Sequence, residues 1–235
     1  MRINKYIAVC GIASRRKADE IVKRGDIKVD GLRITELGFD VPDGSTVTYQ
    51  GRIIKPEGRK VYVALNKPKG FITTTQDEKD RLTVLDLVKD IDERVFPVGR
   101  LDEDTSGLLI LTNDGEFANK LMHPKNHVQK TYRAKVLGDF TRKREALLRK
   151  GVDIGGYITK PAEVNLIKQA PKYSIVEIKI SEGKNRQVRK MFSAVGNKVM
   201  ELERTAIGDV YLGGLKQGHY RKLTRQEIDR LQGEN

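Results

Sequence analysis

Between residues 97 and 111 the chain reads Pro97-Val98-Gly99-Arg100-Leu101-Asp102-Glu103-Asp104-Thr105-Ser106-Gly107-Leu108-Leu109-Ile110-Leu111. A tight polar turn carrying Asp102 is wedged between two apolar segments, with Arg100 two residues before the carboxylate. A carboxylate held against apolar walls beside a guanidinium is poised for chemistry. The same run, Asp102-x-Asp104-x-Ser106-Gly107, imitates the opening of a calcium loop. Its twelfth position is Asn113, which cannot supply the bidentate carboxylate. Leu108–Leu111 reads as a strand rather than an exiting helix, so the calcium reading is set aside.

Charge narrows the substrate class. Lys and Arg number 45 against 32 Asp and Glu, a net +13 over 235 residues. Such an excess points to a polyanion, because basic side chains release counterions when they meet phosphates. It is concentrated at the start. Residues 1–24 hold seven Lys or Arg against two acids, whereas residues 25–60 hold six of each sign. Phosphate-binding and dinucleotide-binding glycine loops are absent, as is the His-x-Glu with Pro-Cys-x-x-Cys pattern of zinc base deaminases. Cys10 stands alone, which excludes an internal disulfide and suits a reducing cytoplasm. With His123, His127 and His219 it makes no zinc spacing. No metal or cofactor is expected. No apolar run reaches membrane-spanning length and no signal pattern opens the chain, so a cytoplasmic protein with no membrane partner is expected.

The elements that position these residues follow from periodicity and caps. Ile3–Val9 reads as a helix closed by Gly11. A second helix runs from the Ser14 cap to Gly25, with Ala18, Ile21 and Val22 facing inward and Arg15, Arg16 and Lys23 outward. Ile27-Lys28-Val29-Asp30-Gly31 is a strand ending in an Asp-Gly turn, and Thr46–Tyr49 a further strand. Gly51–Lys60 reads as a linker. Beyond it, strands are expected at Val61–Leu65, Leu108–Thr112, Thr131–Val136, Tyr173–Ile180 and Lys198–Leu202. Helices are expected at Glu116–Met122, Thr141–Lys150, Arg186–Val195 and Arg225–Leu231, the last opened by a Thr224/Glu227 capping box. Without regular βαβ alternation, the fold class is α+β: a small basic module, residues 1–60 with its linker, then a larger domain, 61–235, on a mixed, mostly antiparallel sheet. With no extended apolar patch or heptad seam, a monomer is expected.

The first module, through its basic helix pair, Ser14-Arg15-Arg16, Gly25 and Ile27–Gly31, resembles the S4 RNA-binding domain. The resemblance implies RNA contacts from Arg2, Lys5, Ser14, Arg15, Arg16, Lys23 and Lys28. The larger domain resembles the pseudouridine synthases, in the branch that modifies ribosomal RNA and carries an S4 domain in front. Four segments carry the match: Asn66-Lys67-Pro68-Lys69-Gly70; Gly99–Asp102 with Thr105–Leu108; Lys130-Thr131-Tyr132; and Glu182–Met191. The wider run, with Asn113–Glu116 and Leu121–Pro124, leans toward the group acting on the large ribosomal subunit.

By that resemblance the chain isomerises uridine to pseudouridine in ribosomal RNA or an assembling ribosomal subunit. The N1–C1′ bond breaks, the uracil turns, and C5 joins C1′. Asp102 is implied as the catalytic carboxylate, either attacking covalently or removing a sugar proton. Arg189 is implied to pair with Asp102 and keep it ionised. Tyr132 is implied to stack on the extruded base, and its basic flanks Lys130 and Arg133 suggest a wet position. Val188 would wall the base pocket, Arg100 reach the RNA beside the extruded nucleotide, and Lys184 and Arg186 meet phosphates. Lys67 and Pro68 are expected to support the site rather than touch substrate. A small-subunit target and a non-catalytic assembly factor using the same basic surfaces are the alternatives. The intact Gly-Arg-Leu-Asp segment speaks against the second.

Overall fold

The computed structural model describes residues 1–75 and 77–233. The chain forms two compact units. One comprises residues 1–61 with 91–95 and 113–115, the other 62–90, 96–112 and 116–235.

In the first unit, α1 (Ile3–Val9) and α2 (Arg15–Arg24) precede four short strands, β1 (Ile27–Val29), β2 (Leu32–Ile34), β3 (Val47–Tyr49) and β4 (Arg52–Ile53). They pair antiparallel in the order β2-β1-β3-β4. Ser14 caps α2 by accepting from the Lys17 amide at 3.4 Å. Gly25 ends it in the left-handed conformation, where a side chain would be strained. Asp30 and Gly31 both have positive φ, the geometry of a tight hairpin turn between β1 and β2. Ile3, Ile7, Ala18, Ile21, Val22, Ile27 and Val47 fill the core, leaving the polar face of α2 to solvent. The expected linker is corrected in one respect: its Arg52–Ile53 extends the sheet as β4. Two residues are too few to carry an alternating pattern, so nothing in the sequence announced them.

Among the described residues the second unit is built on nine strands: β5 (Tyr62–Lys67), β6 (Phe96–Val98), β7 (Ser106–Thr112), β8 (Lys130–Leu137), β9 (Glu163–Ala170), β10 (Tyr173–Ile180), β11 (Val199–Ile207), β12 (Val210–Tyr211) and β13 (Tyr220–Lys222). The main path is β13-β5-β7-β11-β8-β10-β9, with β6 beside β7 and β12 beside β11. All pairings are antiparallel except β7 with β11, which are parallel. The sheet is thus mixed and mostly antiparallel, and the class is α+β.

Every residue of β7 is buried, which its unbroken Leu-Leu-Ile-Leu run dictates for a strand covered on both faces. Full burial of Leu108, Leu109, Ile110 and Leu111 contributes about 1.5–3 kcal/mol each. α3 (Gly115–Met122) and α6 (Arg225–Gln232) pack Phe117, Leu121, Ile228 and Leu231 on one region of the core. α4 (Arg142–Lys150) and α5 (Gln187–Ala194) pack Leu148, Met191 and Phe192 on another. The Thr224/Glu227 capping box is formed in both directions, at 3.2 and 2.9 Å. Strand β9 was not expected. It is an edge strand with only Val164 fully buried, so Glu-Val-Asn-Leu-Ile-Lys-Gln-Ala shows no alternation.

The parallel contact places Gly107 opposite Arg204. A Cβ on Gly107 would sit 2.3 Å from the Arg204 carbonyl oxygen and 2.6 Å from its amide nitrogen. Backbone cannot yield as a side chain can, and Gly107 has φ +107°. Gly107→Ala is therefore expected to lose about 2–4 kcal/mol of stability in urea unfolding. An unchanged midpoint would remove this close approach as a constraint.

Candidate active site

Asp102 lies in the loop joining β6 to β7, and this loop is pinned from below. The Lys67 side chain has no exposed surface. Its ammonium donates to the carbonyls of Pro68 at 3.0 Å, Thr105 at 2.9 Å and Glu103 at 3.5 Å. The Gly70 amide donates to Glu103 O at 2.9 Å. The Thr73 hydroxyl donates to Leu101 O at 2.8 Å and accepts from the Leu101 amide at 3.2 Å. The Thr105 amide donates to Asp102 O at 3.1 Å, closing the turn. Backbone on both sides of Asp102 is therefore fixed by residues 67–73, while the carboxylate itself stays one-third exposed.

The charges around it are dense. Arg186 Nη1 lies 3.6 Å from an Asp102 carboxylate oxygen and Arg186 Nη2 3.0 Å from Asp104. Arg189 meets Asp104 at 3.3 Å, its backbone carbonyl at 2.9 Å, and Thr105 Oγ1 at 3.4 Å. The hydrogen bond from Arg186 holds the Asp104 carboxyl below its ordinary range. Burial pushes the Lys67 ammonium down to about 8, although Asp104, Glu103 and Asp102 oppose the shift.

A cavity of about 630 Å³ opens beside Asp102, a size suited to one small group. Tyr132, Val188, Leu202, Lys130 and Arg204 line it together with Asp102. Across the opening, Glu182 accepts from the Tyr157 hydroxyl at 2.5 Å, from Gln187 Nε2 at 2.5 Å and from the Lys160 amide at 3.0 Å. These bonds fasten two loops into one wall.

The family description for RNA pseudouridylate synthases matches residues 61–194, and that for the S4 domain matches residues 1–47. The chain belongs to the RNA pseudouridylate synthase family. It is 46% identical to the ribosomal large subunit pseudouridine synthase B of Bacillus subtilis, over 98% of this chain and 95% of that one. It is 39% identical to the dual-specificity RNA pseudouridine synthase RluF of Escherichia coli, over 97% of this chain and 77% of that one. A crystal structure of a pseudouridylate synthase superposes with a TM-score of 0.71 at 30% identity, covering 98% of this chain and 99% of the other.

The synthase brings together six residues that the sequence singled out. Asp102, Arg100, Tyr132, Val188, Lys184 and Arg186 line one cavity. Arg100 is exposed at its mouth, and Val188 is buried, serving as both wall and core. Lys184 is exposed, with its ammonium 4.6 Å above the Tyr157 ring.

Two expectations are corrected. Arg189 does not pair with Asp102. Its Nη2 is taken by Asp104 and Thr105, and Arg186 takes the Asp102 carboxylate instead. The helix explains why: α5 starts at Gln187 after Arg186 in the left-handed conformation, which leaves Arg186 at the loop-facing end. Lys130, expected to mark a wet strand, is half-buried inside the cavity.

In the S4 unit, Arg15, Arg16, Lys23 and Lys28 are exposed. Arg2 is exposed but engages the Gly38 carbonyl and Asp40. Lys5 is half-buried, and the Ser14 hydroxyl is occupied as the α2 cap. The residues that sequence reasoning missed are Asp104, as the anchor of both arginines, with Thr73 and Arg204. Asp104 could have been flagged by its place in the quoted turn. Arg204 carries no local signal, since only the β7–β11 pairing delivers it.

Lys67→Met keeps the side chain's length but leaves the Pro68 and Thr105 carbonyls without a donor, and it is expected to slow isomerisation by misplacing the Asp102 loop. Its pH dependence has a definite sign. In the folded synthase the ammonium titrates near 8, and in the unfolded chain near about 10.4. Between these values the unfolded chain holds more protons, so stability gains with rising pH. The thermal midpoint of the wild type relative to Lys67→Met should therefore climb between these two pH values. A flat difference would contradict the buried cation.

Proposed function

We propose that the chain converts a uridine of large-subunit ribosomal RNA to pseudouridine, with Asp102 as the catalytic carboxylate. The observation that carries this reading is the immobilised turn: Lys67 and Thr73 fix the backbone around Asp102 at the edge of a cavity that also holds Tyr132. The large-subunit assignment is supported by similarity to the Bacillus subtilis enzyme along nearly the whole of both chains.

Residues 61–235 hold the chemistry in this reading, and residues 1–60 grip folded RNA through Arg15, Arg16, Lys23 and Lys28, with Arg2, Lys5 and Ser14 flanking them. The target uridine leaves its stack, at a cost of about a few kcal/mol that is smallest in a loop or bulge. Tyr132 replaces lost stacking, worth about 1–3 kcal/mol per base. Val188 walls the base, and Arg100, Lys184 and Arg186 face the RNA around the cavity mouth, with Arg189 behind them holding Asp104. Arg186 meets Asp102 in the free enzyme and is positioned to exchange that partner for a phosphate. With the carboxylate unmasked, Asp102 attacks C1′ or takes the C2′ proton, and in either route the base detaches, turns and rejoins through C5. The reaction is an isomerisation and consumes no cofactor. In this reading the enzyme works as a monomer in the cytoplasm, alongside the ribosomal RNA it modifies. No helix among the described residues is long and apolar enough to cross a membrane.

The test is pseudouridine mapping by carbodiimide-blocked reverse transcription of ribosomal RNA from cells with and without the protein. One stop in large-subunit RNA should vanish and return with the wild type but not with Asp102→Asn, which should bind RNA nearly as well. Turnover by Asp102→Asn would sink the assignment, and a lost stop in small-subunit RNA would change the substrate. Replacing Arg15, Arg16 and Lys23 together with Gln should weaken binding and flatten its dependence on log salt by roughly two to three units. An unchanged slope would mean that this face does not meet RNA.

A further inference from the structure

Arg204 is only 4% exposed. Its Nε donates to the Leu108 carbonyl at 2.7 Å, while its buried Nη2 has no hydrogen-bond partner. Among the described residues no carboxylate lies within ion-pair distance of Arg204 or of Lys130. In the sheet, Arg204 stands opposite Tyr132 and Lys130 opposite Ile207, so both cations arise beside the aromatic ring that faces the cavity. Burial and the charge of Arg204 hold the Lys130 ammonium below its ordinary value. Keeping two like charges in a partly apolar cavity without a counter-ion is costly. The fold maintains that cost through the Gly107 contact and the Leu108 hydrogen bond, which deliver Arg204 to this spot.

The cavity's own carboxylates are taken elsewhere, Asp102 by Arg186 and Glu182 by Tyr157, Lys160 and Gln187, so both cations are left for a negative group on a bound ligand. The exposed cations Arg100, Lys184 and Arg186 already stand at the mouth, where a phosphate backbone would run. Deeper in, Val188, Leu202 and Tyr132 leave a site suited to a flat, partly apolar group. We propose that Arg204 and Lys130 form a cationic floor that hydrogen-bonds the two carbonyl oxygens of the target uracil and takes up the negative charge the base acquires when it leaves the sugar. The inference rests on the reading of this cavity as the Asp102 site.

The chemistry balances without a further reactant. When N1–C1′ breaks, its electron pair stays on the base, spread over N1, O2 and O4. After the base turns, C5 bonds to C1′ and the proton on C5 ends on N1. A half-turn about the axis through N3 and C6 exchanges N1 with C5 and O2 with O4. Two donors aimed at the two carbonyls therefore meet the same pattern before and after the turn. They stabilise the detached anion on either route open to Asp102, because in both the pair leaves with the base.

The experiment compares wild type, Lys130→Met, Lys130→Arg and Arg204→Lys on one RNA carrying the mapped uridine, each first checked by its thermal midpoint. Lys130→Met should lower the single-turnover rate at saturating RNA by about 100-fold, the scale of one lost anion-stabilising donor. Its Kd for RNA should stay within about twofold, because the floor acts on the base and not on the phosphates that dominate affinity. Lys130→Arg should recover most of the rate. Arg204→Lys should be slowed in the same way, and Lys130 carries the test if that variant unfolds. A wild-type rate in Lys130→Met overturns the proposal. So does a weakened Kd with an unchanged rate, which would make Lys130 a phosphate ligand, or an equal loss in the Met and Arg variants. Asp102→Asn run alongside separates the two claims: turnover there sinks the reading of the site, whereas a dead Asp102→Asn with a silent Lys130 series sinks only the floor.

Discussion

An ammonium with no exposed surface, that of Lys67, ties together carbonyls from Pro68, Glu103 and Thr105 and so determines where the Asp102 turn can be. A buried cation is costly unless its donors are used. Here they are used on backbone, which is the reason the turn cannot drift. The carboxylate gains position without losing its freedom to react, since among the described residues its oxygens are engaged only by Arg186 at 3.6 Å. Asp104 completes the arrangement from the other side. It draws Arg186 and Arg189 onto the loop and spares Asp102 a tighter partner.

The second constraint is the parallel contact of β7 with β11. It demands a glycine at 107, and it delivers Arg204 to the cavity wall. The surrounding sheet is otherwise antiparallel. Among the described strands, the parallel joint of Ser106–Gly107 with Glu203–Arg204 thus carries Arg204 to the cavity that Asp102 and Thr105 also line. The cavity joins two kinds of electrostatics: a rim of exposed cations, matched to a phosphate backbone and screened by salt, and an interior where unpartnered positive charge has little solvent to screen it.

Much of this was legible along the chain. The turn sequence around Asp102, the Lys67-Pro68 support, the capped α2 with its exposed arginines, and the capping box of α6 all follow from local rules about caps, turns and apolar runs. They are legible because each is settled within a few residues. Strand β9 and the two-residue β4 were not, because an edge strand takes its pairing from a neighbour rather than from its own pattern.

By itself the sequence determined the α+β class, the basic first module, the carboxylate on its polar turn and the family resemblance that names the chemistry. Those depend on residue type and short spacing. Only the tertiary structure decided which arginine faces Asp102, that Lys130 turns into the cavity, and that Arg204 lies beneath the site with an unused donor. Partner choice among Arg186, Arg189, Asp102 and Asp104 is a matter of ångströms set by how α5 begins, and the reach of Arg204 is set by which strand lies beside which. Neither is written in the spacing of residues along a chain, because both arise between segments that meet only when the sheet is complete.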